Sequence, residues 1–371
     1  PKNTSYRKIM GFKCGIIGLP NVGKSTLFNA LTKSQIPAEN FPFCTIEPNI
    51  GKVPLPDKRL IELNNIVDSN KIIPAALDLV DIAGLVKGAS DGEGLGNSFL
   101  SNIREMSALA HVVRCFEDEN ITHVDGSVNP RRDVEVINLE LILADLETVS
   151  KRITKCEKLL KTNDKENNLQ LEILLRLKKD LDSGHLIDLK NFNDNEQKII
   201  KSFQLLSSKP TFFIGNINDS DASKNNIQEL NKIASELNTF VIPASIKMEH
   251  EISLLDEDEK KEYLELMGMD EPVLNKIIFE GYKLLGLKTF FTAGPSEIRA
   301  WTIKNGFTAP NAAGVIHTDF ERGFIKAEVI DFDDYISNKG ELGAKENGKL
   351  RLEGKDYLVK DGDVIHFKFN V

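Results

Sequence analysis

The stretch GLPNVGKST, residues 18–26, fits the pattern G-x-x-x-x-G-K-[ST]. It stands between an apolar run, FKCGIIGL (12–19), and a segment with helical apolar spacing at Leu27, Ala30 and Leu31. A loop of this kind wraps its backbone N–H groups, with the N-terminus of the next helix, around the β- and γ-phosphates of a nucleotide. Gly18 and Gly23 permit backbone angles and a close approach that a side chain would block. Asn21, Val22, Gly23, Lys24, Ser25 and Thr26 are therefore the expected phosphate-binding residues. Lys24 carries charge to the phosphates and is expected to act in turnover; the Ser25 hydroxyl is expected to ligate Mg²⁺. A second metal partner and a γ-phosphate sensor come from LDLVDIAG (77–84). Asp81 ends an apolar strand and can hold the magnesium hydration shell, and the Gly84 amide can sense the loss of the γ-phosphate. Thr45, in NFPFCTIEP, is placed to add a metal ligand from the intervening loop.

Ras-like GTPases carry a glutamine directly after the DxxG glycine, to orient the attacking water. Here the position is Leu85, which cannot do so. Either the protein binds nucleotide and hydrolyses it very slowly, or another group positions the water. His123, in ENITHVDG after a predicted strand, is a candidate, because imidazole is suited to hydrogen-bond a water near neutral pH. The plainer reading is an exposed loop histidine. The side-chain oxygen of Asn21 can ligate a monovalent cation such as K⁺ beside the phosphates, with the electrostatic role of an arginine finger.

The base is read elsewhere. IGNINDSD (214–221) stands where a GTPase has NKxD, but the lysine position is Ile217. The Asp of that motif accepts hydrogen bonds from guanine N1–H and N2–H₂. Adenine offers an acceptor at N1 and no N2 amine, so a buried carboxylate aimed there would be unpaired, at a cost of a few kcal/mol. Spacing alone keeps GTP open through Asp219. Against it, Ile217 offers an apolar wall, and Asn216 can offer a donor and an acceptor to adenine N6/N7. PASIKME (243–249), with Ser245, is the last base-side loop expected.

These residues need a scaffold. AALDLVDIAGL (75–85), AHVVRCF (110–116), PTFFIGN (210–216) and TFVIPAS (239–245) read as buried strands. IQELNKIASEL (227–237) and NKIIFEGYKLL (275–285) read as helices. Alternation of this kind predicts an α/β domain with a doubly wound parallel sheet. It is interrupted by a seam at Leu139, Ile142, Leu146, Val149, Ile153, Cys156 and Leu160, then a polar break, TNDKEN (162–167), then Leu171, Leu174, Leu177 and Leu181. That pattern predicts an antiparallel helical coiled coil over 137–208, projecting as an arm. Residues 150–182 hold nine Lys/Arg and six Asp/Glu. The face is either simply solvated or a contact for an acidic partner such as RNA. Beyond 286, AWTI, GVIH, GFIKAEVI, GKDYLV and DVIHFKF read as short strands of a small β-rich domain. The segments expected are a tail (1–11), a nucleotide-binding domain in two parts (12–136 and 209–285), the helical insertion (137–208) and the C-terminal domain (286–371).

Composition narrows the class further. The chain has 371 residues, 41% hydrophobic, which suffices for two or three domains. A net charge of −9 argues against coating nucleic acid throughout. PKNTSYRKIM at the start lacks the apolar core of a secretory signal. No stretch is long and apolar enough to span a membrane. Cys14, Cys44, Cys115 and Cys156 are too widely spaced for a zinc site or disulfide framework, which points to a reducing, cytoplasmic setting.

Five segments together, GFKCGIIGLPNVGKSTLFNALT, NFPFCTIEPN, DIAGLVKGASDGEGLGNSFL, HVVRCFEDENITHV and VKDGDVIHFKFNV, resemble the YchF/Obg-like ATPase family. The likeness runs from Met10 to Val371 and keeps the domain order. It implies a G domain with an inserted coiled coil and a C-terminal TGS domain of ubiquitin-like β-grasp fold, a type associated with RNA and ribosome contacts. It implies a hydrophobic residue at the catalytic position, here Leu85, and a catalytic histidine at His123. It also implies preference for ATP over GTP with an NxxE base motif, from which Asp219 departs. The expectation is a slow, monomeric ATPase that works as a nucleotide-dependent switch on ribosomes or translation components. The alternatives are a GTP-specific switch and a nucleotide-binding protein that does not hydrolyse.

Overall fold

The computed structural model describes residues 12–33, 49–82, 97–118, 120, 121, 123, 126–159 and 165–370. Thr45, Gly84 and Leu85 lie outside them. In chain order the elements are β1 (Lys13–Ile17), α1 (Lys24–Thr32), β2 (Ile50–Pro54), α2 (Arg59–Val67), β3 (Ile72–Ile73), β4 (Ala76–Asp81), α3 (Asn97–Glu105) and β5 (Ala108–Arg114). Then follow α4 (Pro130–Leu159), α5 (Lys165–Asp182), α6 (Asp194–Phe203), β6 (Thr211–Asn216), α7 (Asp221–Glu236), β7 (Val241–Ala244), α8 (Ile246–Ile252) and α9 (Glu257–Leu266). The last third holds α10 (Val273–Leu284), β8 (Leu287–Ala293), β9 (Ile298–Lys304), α11 (Ala309–Ile316), α12 (Thr318–Arg322), β10 (Phe324–Ile330), α13 (Phe332–Ser337), α14 (Glu341–Glu346), β11 (Arg351–Glu353) and β12 (Val364–Phe369).

The chain divides into two compact units. One comprises Lys13–Ala30 and Leu79–Gly268. Its sheet runs β4-β1-β5-β6-β7, and the pairs β1/β5, β5/β6 and β6/β7 are all parallel. All seven residues of β5 are buried, as a central parallel strand requires when helices cover both faces. The strands expected from apolar runs are all present, and α1 buries Leu27, Ala30 and Leu31 as its spacing predicts.

The arm belongs to this unit. Its first helix begins at Pro130, ahead of the expected 137. Proline at a first helical position is favoured, since its missing N–H would lack a partner there in any case. Ile142, Val149, Ile153 and Cys156 of α4 pack with Ile173, Leu174, Leu177 and Leu181 of α5. Leu139 departs from the expected seam and is 53% exposed, while Ile137 and Leu141 turn inward. The return path is not a bare hairpin: α6 adds Ile200 and Phe203 to the same core.

The other unit comprises Pro1–Phe12, Leu31–Asp78 and Met269–Val371. Its sheet runs β11-β10-β12-β8-β9-β3. β8 and β9 form a hairpin, and β12 lies parallel beside β8. β10 joins β12 and β11 antiparallel. Helix α11 covers the sheet through Ala309, Ala312 and Ala313, against Phe290, Ile303 and Phe367. First and last strands parallel at the centre of the sheet, under one helix, make a β-grasp arrangement. Two expected strands are corrected. GVIH ends α11, because Ala309, Ala312 and Ala313 continue its apolar stripe at helical spacing. GKDYLV is an extended loop with one isolated bridge, Thr308 to Leu358. β3, from far upstream, adds an edge strand by pairing with β9.

Candidate functional site

The loop 18–23 leaves the C-terminal end of β1 and leads into α1, at the edge where parallel sheets bind ligands. Two glycines are sterically required there. Gly18 has φ +148°, and a Cβ would lie 2.4 Å from the Val112 carbonyl oxygen. Gly23 has φ +103°, and its Cβ would meet the Asn216 amide at 2.8 Å. Lys24 is buried, and its Nζ donates to the Leu19 carbonyl at 2.8 Å, across its own loop. Burial lowers its pKa to about 8, opposed by the nearby Asp81 carboxylate. Beneath it, His111 of β5 is fully buried beside Phe213. Burial, then the Lys24 charge, push the His111 pKa down to about 3, so the ring is neutral at physiological pH. His111 carries no motif, and only the fold brings it near Lys24.

Ser25 Oγ donates to Asp81 Oδ2 at 3.0 Å, although the two are 56 positions apart. Asp81 Oδ1 is buried without a hydrogen-bond partner among the described residues. A hydroxyl and a carboxylate in contact, with one carboxylate oxygen spare, fit the oxygen donor set of Mg²⁺. Asn21 is exposed at φ +61°, with Thr26 also exposed on α1. Val22 is buried.

The residues expected on the base side differ in how the fold holds them. Asn216 is buried; its Nδ2 donates to the Val22 carbonyl at 2.9 Å, and its Oδ1 accepts from Ile246 N at 3.3 Å. The amide is committed to main chain on both sides, because a buried amide must find partners. It is a strut between the phosphate loop and the loop at Ser245. Ile217 is half-buried against the cluster of Val113, Phe213 and Leu230, and its N–H donates to the Ala244 carbonyl. Asn218, not Asp219, organises the turn: its Oδ1 accepts from Ser220 N, Ser220 Oγ and Ser223 Oγ. Ser220 in turn caps α7. Asp219 is exposed, with no hydrogen bond or ion pair among the described residues. Ser245 is the residue before α8 and makes no side-chain cap there.

His123 is not the exposed loop histidine of the plain reading. It is 7% exposed, and its Nε2 lies 2.9 Å from Asp133 Oδ2. Arg132 donates to Asp133 Oδ1 from Nε at 3.2 Å and from Nη2 at 3.0 Å. The loop before it is held by Arg114, a fully buried guanidinium at the end of β5. Arg114 donates to the Phe116, Asp118 and Ile121 carbonyls. Sequence reading missed both Arg114 and Asp133. The only signal was an arginine closing an otherwise apolar strand.

Among the described residues, no helix is long and apolar enough to cross a membrane. Comparison with known proteins matches residues 13–144 to the family model described as "50S ribosome-binding GTPase". Residues 287–370 match the model YchF-GTPase_C, described as a protein of unknown function. "Ribosome-binding ATPase YchF" of Pasteurella multocida is 54% identical over 364 residues, covering 98% of this chain and all of that one. The protein of the same name from Bacillus subtilis is 51% identical over 366 residues, with the same coverage. The solved structure of the Schizosaccharomyces pombe YchF GTPase superposes with a TM-score of 0.88 at 36% identity, covering 96% of this chain and 98% of that one. With its phosphate loop, its Ser25–Asp81 pair, its helical insertion and its β-grasp sheet all within that match, the chain belongs to the YchF family.

Proposed function

We propose that this protein is an ATP hydrolase whose nucleotide state controls its binding to ribosomes. Relatives that share half of its residues carry the name ribosome-binding ATPase. The observation that carries the reading is the phosphate site itself: buried Lys24 at the loop, with Ser25 and Asp81 in contact beside it. Ser25 and Asp81, with Thr45, would hold Mg²⁺, which when bound neutralises phosphate charge. Asn21 would offer an oxygen to K⁺. Lys24 supplies a cation to the phosphate oxygens, and the Gly84 amide reports whether the last phosphate is present. His123 positions the attacking water in place of the glutamine that Leu85 replaces. Asn21, Val22, Gly23, Lys24, Ser25 and Thr26 surround the phosphates; Asn216, Ile217, Asp219 and Ser245 surround the base. The coiled coil within 137–208 and the C-terminal domain 286–371 present surfaces to ribosomal RNA, and the protein works as a cytoplasmic monomer.

ATP is favoured over GTP because Asp219 is exposed and unheld. A guanine-reading carboxylate needs a fixed position, and here the turn is built around Asn218 instead. Equilibrium competition of ATP and GTP for a fluorescent nucleotide, with Mg²⁺ present, tests this. Preference for ATP by tenfold or more, about 1.4 kcal/mol, is expected. A win for GTP would mean that Asp219 reads guanine and would sink the ATP assignment. Ribosome binding is tested by co-sedimentation of the full chain. Charge reversal at exposed Lys155 and Lys158 should weaken it if the arm meets RNA; an unchanged pellet would remove the arm from the contact.

A further inference from the structure

The proposed water-positioning residue is held by the first turn of the arm. Asp133 lies in that turn of α4 and is 2% exposed, buried together with His123, which it contacts. Both ring nitrogens of His123 face protein: Nε2 meets Asp133 Oδ2 at 2.9 Å, and Nδ1 lies 3.5 Å from Arg132 Nη2. The other carboxylate oxygen of Asp133 is held by Arg132, whose Nη1 and Nη2 also reach Ser127 Oγ and the Ser127 carbonyl. The histidine is thus turned inward and clamped on both edges. A ring in this state cannot orient a water at the phosphates. The clamp lies outside the sheet. It joins the loop after β5 to a helix that runs 30 residues out to the end of the arm.

We propose that Asp133 is a positioning residue that latches His123 in a withdrawn state, and that turnover requires this contact to open. Because the latch sits where α4 leaves the nucleotide domain, a load on the arm is transmitted directly to the histidine. The inference rests on the reading of His123 as the water-positioning group. If only a small fraction of molecules has the ring released, the observed rate is the intrinsic rate multiplied by that fraction. Opening the latch therefore raises kcat without changing how ATP is bound.

The test compares steady-state ATP hydrolysis by the full-length protein and the variants Asp133→Asn, His123→Ala and the double variant. Asp133→Asn keeps shape but weakens the hold on the imidazole. It is expected to raise kcat at least threefold with KM unchanged within twofold, and the double variant should be no faster than His123→Ala. If Asp133→Asn leaves kcat unchanged or lowers it while His123→Ala is slow, the latch is overturned and Asp133 is a supporting partner of an active histidine. A rise that persists in the His123→Ala background also overturns it. Wild-type turnover in His123→Ala would instead remove the catalytic reading of His123 itself. Thermal unfolding checks that each variant is folded. If Asp133→Asn is not, Asp133→Ser, which keeps a hydroxyl in the helix's first turn but cannot reach the imidazole, carries the same expectations.

Discussion

Asn216→Ala removes the strut between the phosphate loop and the base-side loop. The native amide is 6% exposed and makes two bonds to main chain, 2.9 Å to the Val22 carbonyl and 3.3 Å from Ile246 N. Truncation strands both partners. Each stranded buried polar group costs about 1–3 kcal/mol, and the longer bond belongs at the lower end. The sum is about 2–4 kcal/mol for the nucleotide-free protein, read as a lower urea midpoint. The nucleotide feels the same loss, because the Val22 carbonyl is part of the loop that must present its amides to phosphate. If about half of that energy orders the loop, ATP affinity falls by roughly fivefold to thirtyfold. Asn216→Asp separates the two bonds. It retains an acceptor for Ile246 N but sets a carboxylate oxygen against the Val22 carbonyl, so ATP should bind at least as weakly as to Asn216→Ala. Fluorescent-nucleotide titration of both variants gives the affinities. ATP binding within twofold of wild type in Asn216→Ala, with an unmoved urea midpoint, would refute the strut.

Three further outcomes follow from named contacts. Lys24 has its pKa lowered to about 8 by burial. The phosphates require the ammonium, so ATP affinity should fall as pH rises through about 8, and binding near pH 8 should take up a proton, measurable by calorimetry in buffers of different ionisation enthalpy. For the nucleotide-free fold the sign is opposite: between about 8 and the ordinary lysine range the unfolded chain holds a proton that the fold has released, so Lys24 makes stability rise with pH there. Gly18→Ala should abolish nucleotide binding, since a Cβ 2.4 Å from the Val112 carbonyl forces the loop off its path; retained binding would show that the loop can shift. Asp145→Asn at the base of the arm should destabilise by about 2–4 kcal/mol in urea unfolding. Its carboxylate accepts from Leu206 N, Ser207 N and Ser207 Oγ, and an amide would turn a donor toward donors.

Much of this molecule is legible along the chain. The phosphate loop, the strand before it and the helix after it are contiguous, so local pattern alone places Gly18, Gly23, Lys24 and Ser25. The parallel strands announce themselves as apolar runs because burial on both faces leaves no room for alternation. The seam of α4 and α5 is legible for the same reason, except at Leu139, where the helix face that turns inward is chosen by neighbours the seam does not name. GVIH was legible only as an apolar stretch. Whether such a stretch is strand or helix depends on whether the preceding alanines join its stripe, and here they do.

The sequence by itself determined that Lys24 and Ser25 stand in a phosphate-loop pattern between a strand and a helix, and that Asp81 closes an apolar strand ahead of a DxxG glycine, since these signals are contiguous along the chain. Tertiary structure decided what those types cannot say: that Asn216 braces two loops, that Asp219 is left exposed, and that His123 is buried against Asp133. The physical reason is common to all three. Amides, carboxylates and imidazoles each have several possible partners, and which one they take depends on burial and on groups distant in sequence. Burial obliges Asn216 and His123 to find a partner within the fold, while exposure leaves Asp219 free of that obligation.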